Sequence, residues 1–211
     1  LDGYQNVLSC SYSGNNYGVE LSFLNQLKHY LLSGKKNERE DIHNITYTCR
    51  DPEKSFISLA ATLIPCSILM DYYFDGDYSR VLNHLEKEDF HFDTSVPIYE
   101  IFSGVDTSTA AKYLESTMTE SGIGIPIVHD KYSYCHGRST MCKNYPSTAI
   151  YFDTHTELDQ LLLKEIPQYY HEVIKIDCPK GLEGDYHALV QAMYLTKYLG
   201  DQKSMDLSGV D

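Results

Sequence analysis

The apolar positions of this chain alternate between short runs and helical stripes. Val7, Leu8 and Cys10 form a run of the kind a buried parallel strand needs, predicting a strand near 6–11. The turn Ser11-Tyr12-Ser13-Gly14-Asn15-Asn16 follows. Val19, Leu21, Phe23, Leu24, Leu27, Tyr30 and Leu31 then keep an apolar face near helical spacing, predicting a helix over 16–32. Lys35 to Glu40 is a charged connection, and a short strand is expected near 44–49. Glu53 to Phe74 reads as a long apolar helix. It carries Phe56, Leu59, Ala60, Leu63, Ile64, Ser67 and Ile68 at helical spacing, and Pro65 should kink it. Asp75 to Asp93 is polar and mixed, with a short helix near 78–88. The alternation then restarts, with strands near 98–102, 125–128, 148–152 and 172–177 and helices near 107–121, 156–166 and 185–199.

Strands alternating with helices imply parallel strands and right-handed crossovers. The expected fold class is α/β with doubly wound parallel sheets, in two blocks, 1–93 and 94–211, that do not repeat at the residue level. The second block is a fairly complete doubly wound domain. The first has two predicted strands, too few for a stable sheet, and should pair with something outside the chain or with the second block. The chain opens at Leu1, almost directly on a strand, and closes at Asp211 just after a helix, the pattern of a fragment or processed product.

Charge narrows the partners. A formal net charge of −13 argues against a nucleic-acid backbone or an anionic membrane. Any bound phosphate must be met locally by N–H dipoles and a few cations. Cys10, Cys49, Cys66, Cys135, Cys142 and Cys178 are scattered, several inside apolar runs, which reads as a reduced, cytoplasmic protein. No signal-peptide pattern opens the chain. The longest apolar stretch, Phe56 to Met70, is too short and interrupted to span a bilayer.

The strand–turn–helix pattern at the start points N–H groups and hydroxyls at one spot, at the positive end of a helix dipole, where an anion binds well. The same residues also suit an ordinary capped turn, since Ser and Asn are the usual caps.

Several residues together carry a resemblance. Ser11-Tyr12-Ser13-Gly14-Asn15-Asn16 after a strand resembles the S-x-S-G-E-T turn of sugar isomerase (SIS) domains. Glu53-Lys54-Ser55-Phe56 is similar to that family's S-T-K-x-F helix start. Glu120 followed by Cys135-His136-Gly137-Arg138 resembles the glutamate and E-x-x-H-G-P segment of the isomerase domain of glucosamine-6-phosphate synthase, shared with fructosamine-6-phosphate deglycases. The step from Glu120 to His136 equals the family's step from base to ring-opening histidine. The final helix, with Leu189 to Tyr194, is also similar in style. The resemblance runs from about residue 6 to 211 and implies tandem SIS domains with the first incomplete. The departures are Asn15 and Asn16 for the family's glutamate and threonine, Pro52-Glu53 for Ser-Thr, Thr117 for a lysine before the glutamate, and the absent C-terminal A-K-S-V-T-V-E tail.

What the resemblance implies is a phosphosugar or amino-sugar phosphate isomerase or deglycase, acting by enediol-type proton transfer in a homodimer, without cofactor or metal. Ser11, Ser13, Asn15 and Asn16 would cradle the phosphate, and Lys54 would contact the substrate. Arg138 departs from the family, which usually has proline there, but its guanidinium can grip a phosphate or carboxylate bidentately. Glu120 would move the proton, and His136 of one subunit would open the sugar ring in its neighbour. The chemistry needs one carboxylate over adjacent carbons and an acid/base near the ring oxygen. The alternative is a non-catalytic SIS module that binds a phosphosugar or nucleotide and regulates a partner. Each residue also has a plainer reading: Glu120 as a surface glutamate, His136 as a loop histidine, Arg138 in a salt bridge. Zinc at His129, Cys135, His136 and Cys142 lacks the paired short spacings such sites favour. A Cys135–His136 nucleophile has poor geometry, because adjacent residues on an extended chain face opposite ways.

Overall fold

The computed structural model describes residues 6–10, 28–48, 60–74, 87–134 and 137–204. Those up to Phe74 belong to one compact unit and those from Lys87 onward to another.

In the first unit, β1 (Asn6–Cys10), β2 (Lys28–Ser33) and β3 (Ile42–Thr46) form a parallel sheet in the order β1-β2-β3. Val7 lies opposite His29, which lies opposite Ile42. The expected helix over 16–32 is therefore wrong at its C-terminal end, where Lys28 to Ser33 is the central strand. His29, Leu31, Leu32 and Ser33 are all buried. A strand covered on both faces loses the two-residue alternation that marks strands, and its short apolar run continued the helical stripe by coincidence. The first unit holds three strands among its described residues rather than two. The strand expected near 44–49 sits at Ile42–Thr46, stabilised by Asn44, whose Oδ1 accepts the Asn37 N–H at 2.8 Å. Helix α1 (Ala60–Phe74) runs through Pro65. The rest of the helix predicted from residue 53 lies outside the described residues.

The second unit follows the predicted alternation closely. It comprises β4 (Ile98–Ser103), α2 (Ser108–Ser121), β5 (Ile125–Asp130), β6 (Thr148–Asp153), α3 (Glu157–Glu165), β7 (Glu172–Asp177) and α4 (Gly181–Gln202). Its parallel sheet has the order β5-β4-β6-β7. On one face Tyr99, Ile101, Ile150, Phe152, Ile174 and Ile176 pack with Ala110 and Leu114 of α2 and Ala192 and Leu195 of α4. On the other Phe102, Ala149 and Tyr151 pack with Leu162 of α3 and with Tyr134, Cys142 and Tyr170. Helix α4 begins at Gly181, before the predicted 185; the low helix propensity of Gly181 and Gly184 hid its first turn from the pattern. Among the described residues, the crossover from β5 to β6 is made of two 3₁₀ turns, Lys131–Ser133 and Arg138–Lys143, with no α-helix. Residues 87–88, expected to end a short helix, are irregular, and 78–86 lie outside the described residues.

Candidate functional site

The order β5-β4-β6-β7 reverses direction at β4, so the crevice beyond the C-terminal ends of β4 and β6 is where an open parallel sheet takes a ligand. Strand β4 leads through Gly104 and a 3₁₀ turn, Val105–Thr107, into α2. One first-turn donor of α2 is already engaged. Thr109 donates its backbone N–H to Asp185 at 3.2 Å and its hydroxyl at 2.5 Å. Burial raises the Asp185 pKa above the usual aspartate range, opposed by these two bonds. Asp185 of α4 thus satisfies the positive end of the α2 dipole. An incoming phosphate would meet a carboxylate there.

Glu120 occupies the last turn of α2 and is exposed, at the edge where β4 and β5 begin, which is the opposite end of the sheet from that crevice. The helix ends at Gly122, in the left-handed conformation with φ 67°, whose N–H bonds back to Met118 and Thr119. Ser116, one turn earlier, donates its hydroxyl to Glu120 at 2.7 Å. Lys112 and Glu115 pair on the same helix at 2.7 Å. Thr117, at the position of the family's lysine, is buried and donates to the Tyr113 carbonyl at 2.9 Å, so it presents no cation beside Glu120. Arg138 opens the second 3₁₀ turn of the β5–β6 crossover, exposed and without an ion pair among the described residues. Ser11, Ser13, Asn15, Asn16, Lys54 and His136 lie outside the described residues, as does Cys135. The structure therefore describes Glu120 and Arg138, on different elements of the second unit.

A second polar cluster is fully internal. Glu100, in the middle of β4, is 0% exposed. One carboxylate oxygen, Oε1, accepts the Ser147 hydroxyl at 2.8 Å and the Cys142 thiol at 3.0 Å. The other, Oε2, accepts the Tyr170 hydroxyl at 2.8 Å and lies 2.6 Å from His129 Nε2. Tyr170 is also bonded to Tyr134, oxygen to oxygen at 2.9 Å. His129 Nδ1 has no hydrogen-bond partner among the described residues, which puts the imidazole proton on Nε2, facing Glu100. Burial pushes the Glu100 carboxyl up, but the bonds from His129, Cys142, Tyr170 and Ser147 outweigh it and leave the pKa at about 2. His129 and Cys142, weighed in the sequence as zinc ligands, are both bonded to this carboxylate.

No family model matches the chain, and no curated protein matches it by sequence. Solved structures do match it. A tagatose-6-phosphate ketose/aldose isomerase from Escherichia coli superimposes with a TM-score of 0.64 at 13% identity, over 98% of this chain and 71% of that one. A glucosamine-6-phosphate deaminase from Thermotoga maritima gives 0.70 at 13% identity, over 99% and 73%. The C-terminal domain of a glucosamine-fructose-6-phosphate aminotransferase from Francisella tularensis gives 0.60 at 12% identity, over 96% and 72%. The chain has the sugar isomerase (SIS) fold.

Within this SIS fold the sequence reading missed three features. The Asp185 contact joins residues far apart in the chain, so no local spacing announces it. Glu100 left a signal: a lone carboxylate inside the apolar run Ile98-Tyr99-Glu100-Ile101-Phe102. The third lies where β6 and β7 end. Ligand atoms of Asp153, His155 and Asp177 lie within 4.8 Å of one another. Lys175 reaches both carboxylates, 2.7 Å from Asp177 and 3.5 Å from Asp153, so its own side-chain ammonium already meets part of their charge.

Proposed function

We propose that the protein binds a phosphorylated sugar or amino sugar and acts on it as an isomerase or deglycase through an enediol-type proton transfer. The observation that carries this reading is a fold shared, over nearly all of this chain, with phosphosugar isomerases; the exposed Glu120, away from the crevice beyond β4 and β6, is its candidate base. Interconverting an aldose and a ketose moves a proton between adjacent carbons, which one accessible carboxylate can do. Glu120 takes this role, and His136 from a partner subunit opens the ring. Ser11, Ser13, Asn15 and Asn16 hold the phosphate, with Lys54 and Arg138 as further contacts. The Asp185 carboxylate at the start of α2 disfavours a phosphate at that helix end. The two compact units act as tandem SIS domains.

A binding module that reports phosphosugar or nucleotide level to a partner is the second reading. The buried Thr117, standing where the family has a lysine, favours it.

Solvent exchange separates the two. In deuterium oxide, candidate sugar phosphates should lose their C2 proton signal by NMR, and Glu120→Gln should slow the loss by about 10²–10⁴-fold. Tight binding without exchange would transfer the protein to the second reading.

A further inference from the structure

The β5–β6 crossover has no α-helix among its described residues to hold it, yet it carries Arg138. Two buried side chains tie it down on either side of that arginine. Tyr134, four residues before Arg138, is bonded to Tyr170, and Tyr170 to Glu100. Cys142, four residues after it, donates directly to Glu100. Ser147, at the end of the crossover, donates to the same carboxylate oxygen as Cys142. His129, near the end of β5, holds the other oxygen. Bonds from both ends of one crossover thus converge on a single carboxylate in the neighbouring strand. Glu100 is an expensive residue to bury there, since every donor around an ionised carboxylate must be correctly placed.

We propose that Glu100 is a positioning residue for the β5–β6 crossover, anchoring it at Tyr134 and Cys142 and so fixing where Arg138 stands. Arg138's contact with substrate rests on the proposed function; the anchoring does not. Both oxygens of Glu100 accept two donors each. Glutamine in its place would turn one oxygen into an amide donor facing other donors, loosening the crossover at its hub.

Limited trypsin digestion of the intact protein reads this directly, because Arg138 is an exposed cleavage site inside the anchored stretch. Glu100→Gln should speed cleavage after Arg138 by about tenfold or more, while sites on α4 change little. Tyr134→Phe and Cys142→Ala, which each remove one tether, should speed it less, and they serve if Glu100→Gln does not fold. Leu195→Ala, in the core on the opposite face of the sheet, is the control for general loss of stability. Equal acceleration at Arg138 in Leu195→Ala, at matched loss of melting temperature, overturns the proposal, as does unchanged cleavage in all three tether variants. A parallel arm measures the melting-temperature shift given by glucosamine 6-phosphate. Glu100→Gln should lower the apparent affinity several-fold, and Leu195→Ala should not. If the wild-type protein binds neither this nor other sugar phosphates, the functional reading falls, while the cleavage pattern still decides the role of Glu100.

Discussion

Glu100 is held ionised against strong desolvation by four hydrogen bonds, and that has a pH signature. Its folded pKa of about 2 lies below the ordinary glutamate value of 4.5. A depressed folded pKa contributes stability above the unfolded pKa and loses it as the pH falls through the folded one. Between pH 4.5 and about 2, Glu100 should therefore cost the protein up to roughly 3 kcal/mol of stability. Asp159 acts in the same direction. Its burial is outweighed by Lys131 at 2.7 Å, by Tyr151 at 2.7 Å and by the Thr156 bonds, which hold its pKa well below the aspartate range. Urea titrations across this pH range should show a steep acid loss in the wild type and a shallower one in Glu100→Gln. An identical acid limb in the two would mean that the carboxylate gains nothing from its donors.

At the scale of elements, two glycines separate conformational strain from steric conflict. Gly122 ends α2 with φ 67°, and an added Cβ would meet nothing within 4 Å. Gly122→Ala should therefore cost about 1 kcal/mol, the ordinary penalty for a side chain in the left-handed region. Gly184 lies in the first turn of α4, where an added Cβ would fall 1.8 Å from the Pro179 carbonyl oxygen. The obstacle is backbone, so Gly184→Ala must displace the β7–α4 connection and should cost at least roughly 2 kcal/mol. Denaturation midpoints of the two variants give the comparison, and equal values would contradict the close approach. The elements also show where reading by pattern works. The stripes of α2 and α4 and the runs of β4, β6 and β7 each lie wholly within one element, so period and element agree. At Tyr30-Leu31 one stripe crosses from outside the described residues into β2, and the pattern misleads.

For the whole molecule, the proposed chemistry needs His136 of one subunit beside Glu120 of another. The protein should then sediment as a dimer at micromolar concentration, and a mixture of Glu120→Gln and His136→Ala subunits should recover part of the exchange activity that each variant lacks. A monomer, or hybrids no more active than either parent, would remove the shared site. Among the described residues no helix is long and apolar enough to cross a membrane. Both sheets are parallel, as the alternation of strands and helices predicted, and the order β5-β4-β6-β7 places the crevice beyond Ser103 and Asp153.

The sequence by itself determined the class of the fold and most of the elements of the second unit, because these depend on local periodicity; it also singled out Glu120 and His136 as a candidate pair, of which Glu120 lies among the described residues. Tertiary structure decided the rest. That Lys28 to Ser33 is a central strand follows from being covered on both sides. That Asp185 answers the N-terminus of α2 follows from the packing of α4 against it. That Glu100 gathers His129, Cys142, Ser147 and Tyr170 follows from a packing that brings β5, the crossover and the segment before β7 around one strand. Local pattern reports which face of an element is apolar. It does not report which distant side chain will arrive at a buried charge, since that is set only when the elements close on one another.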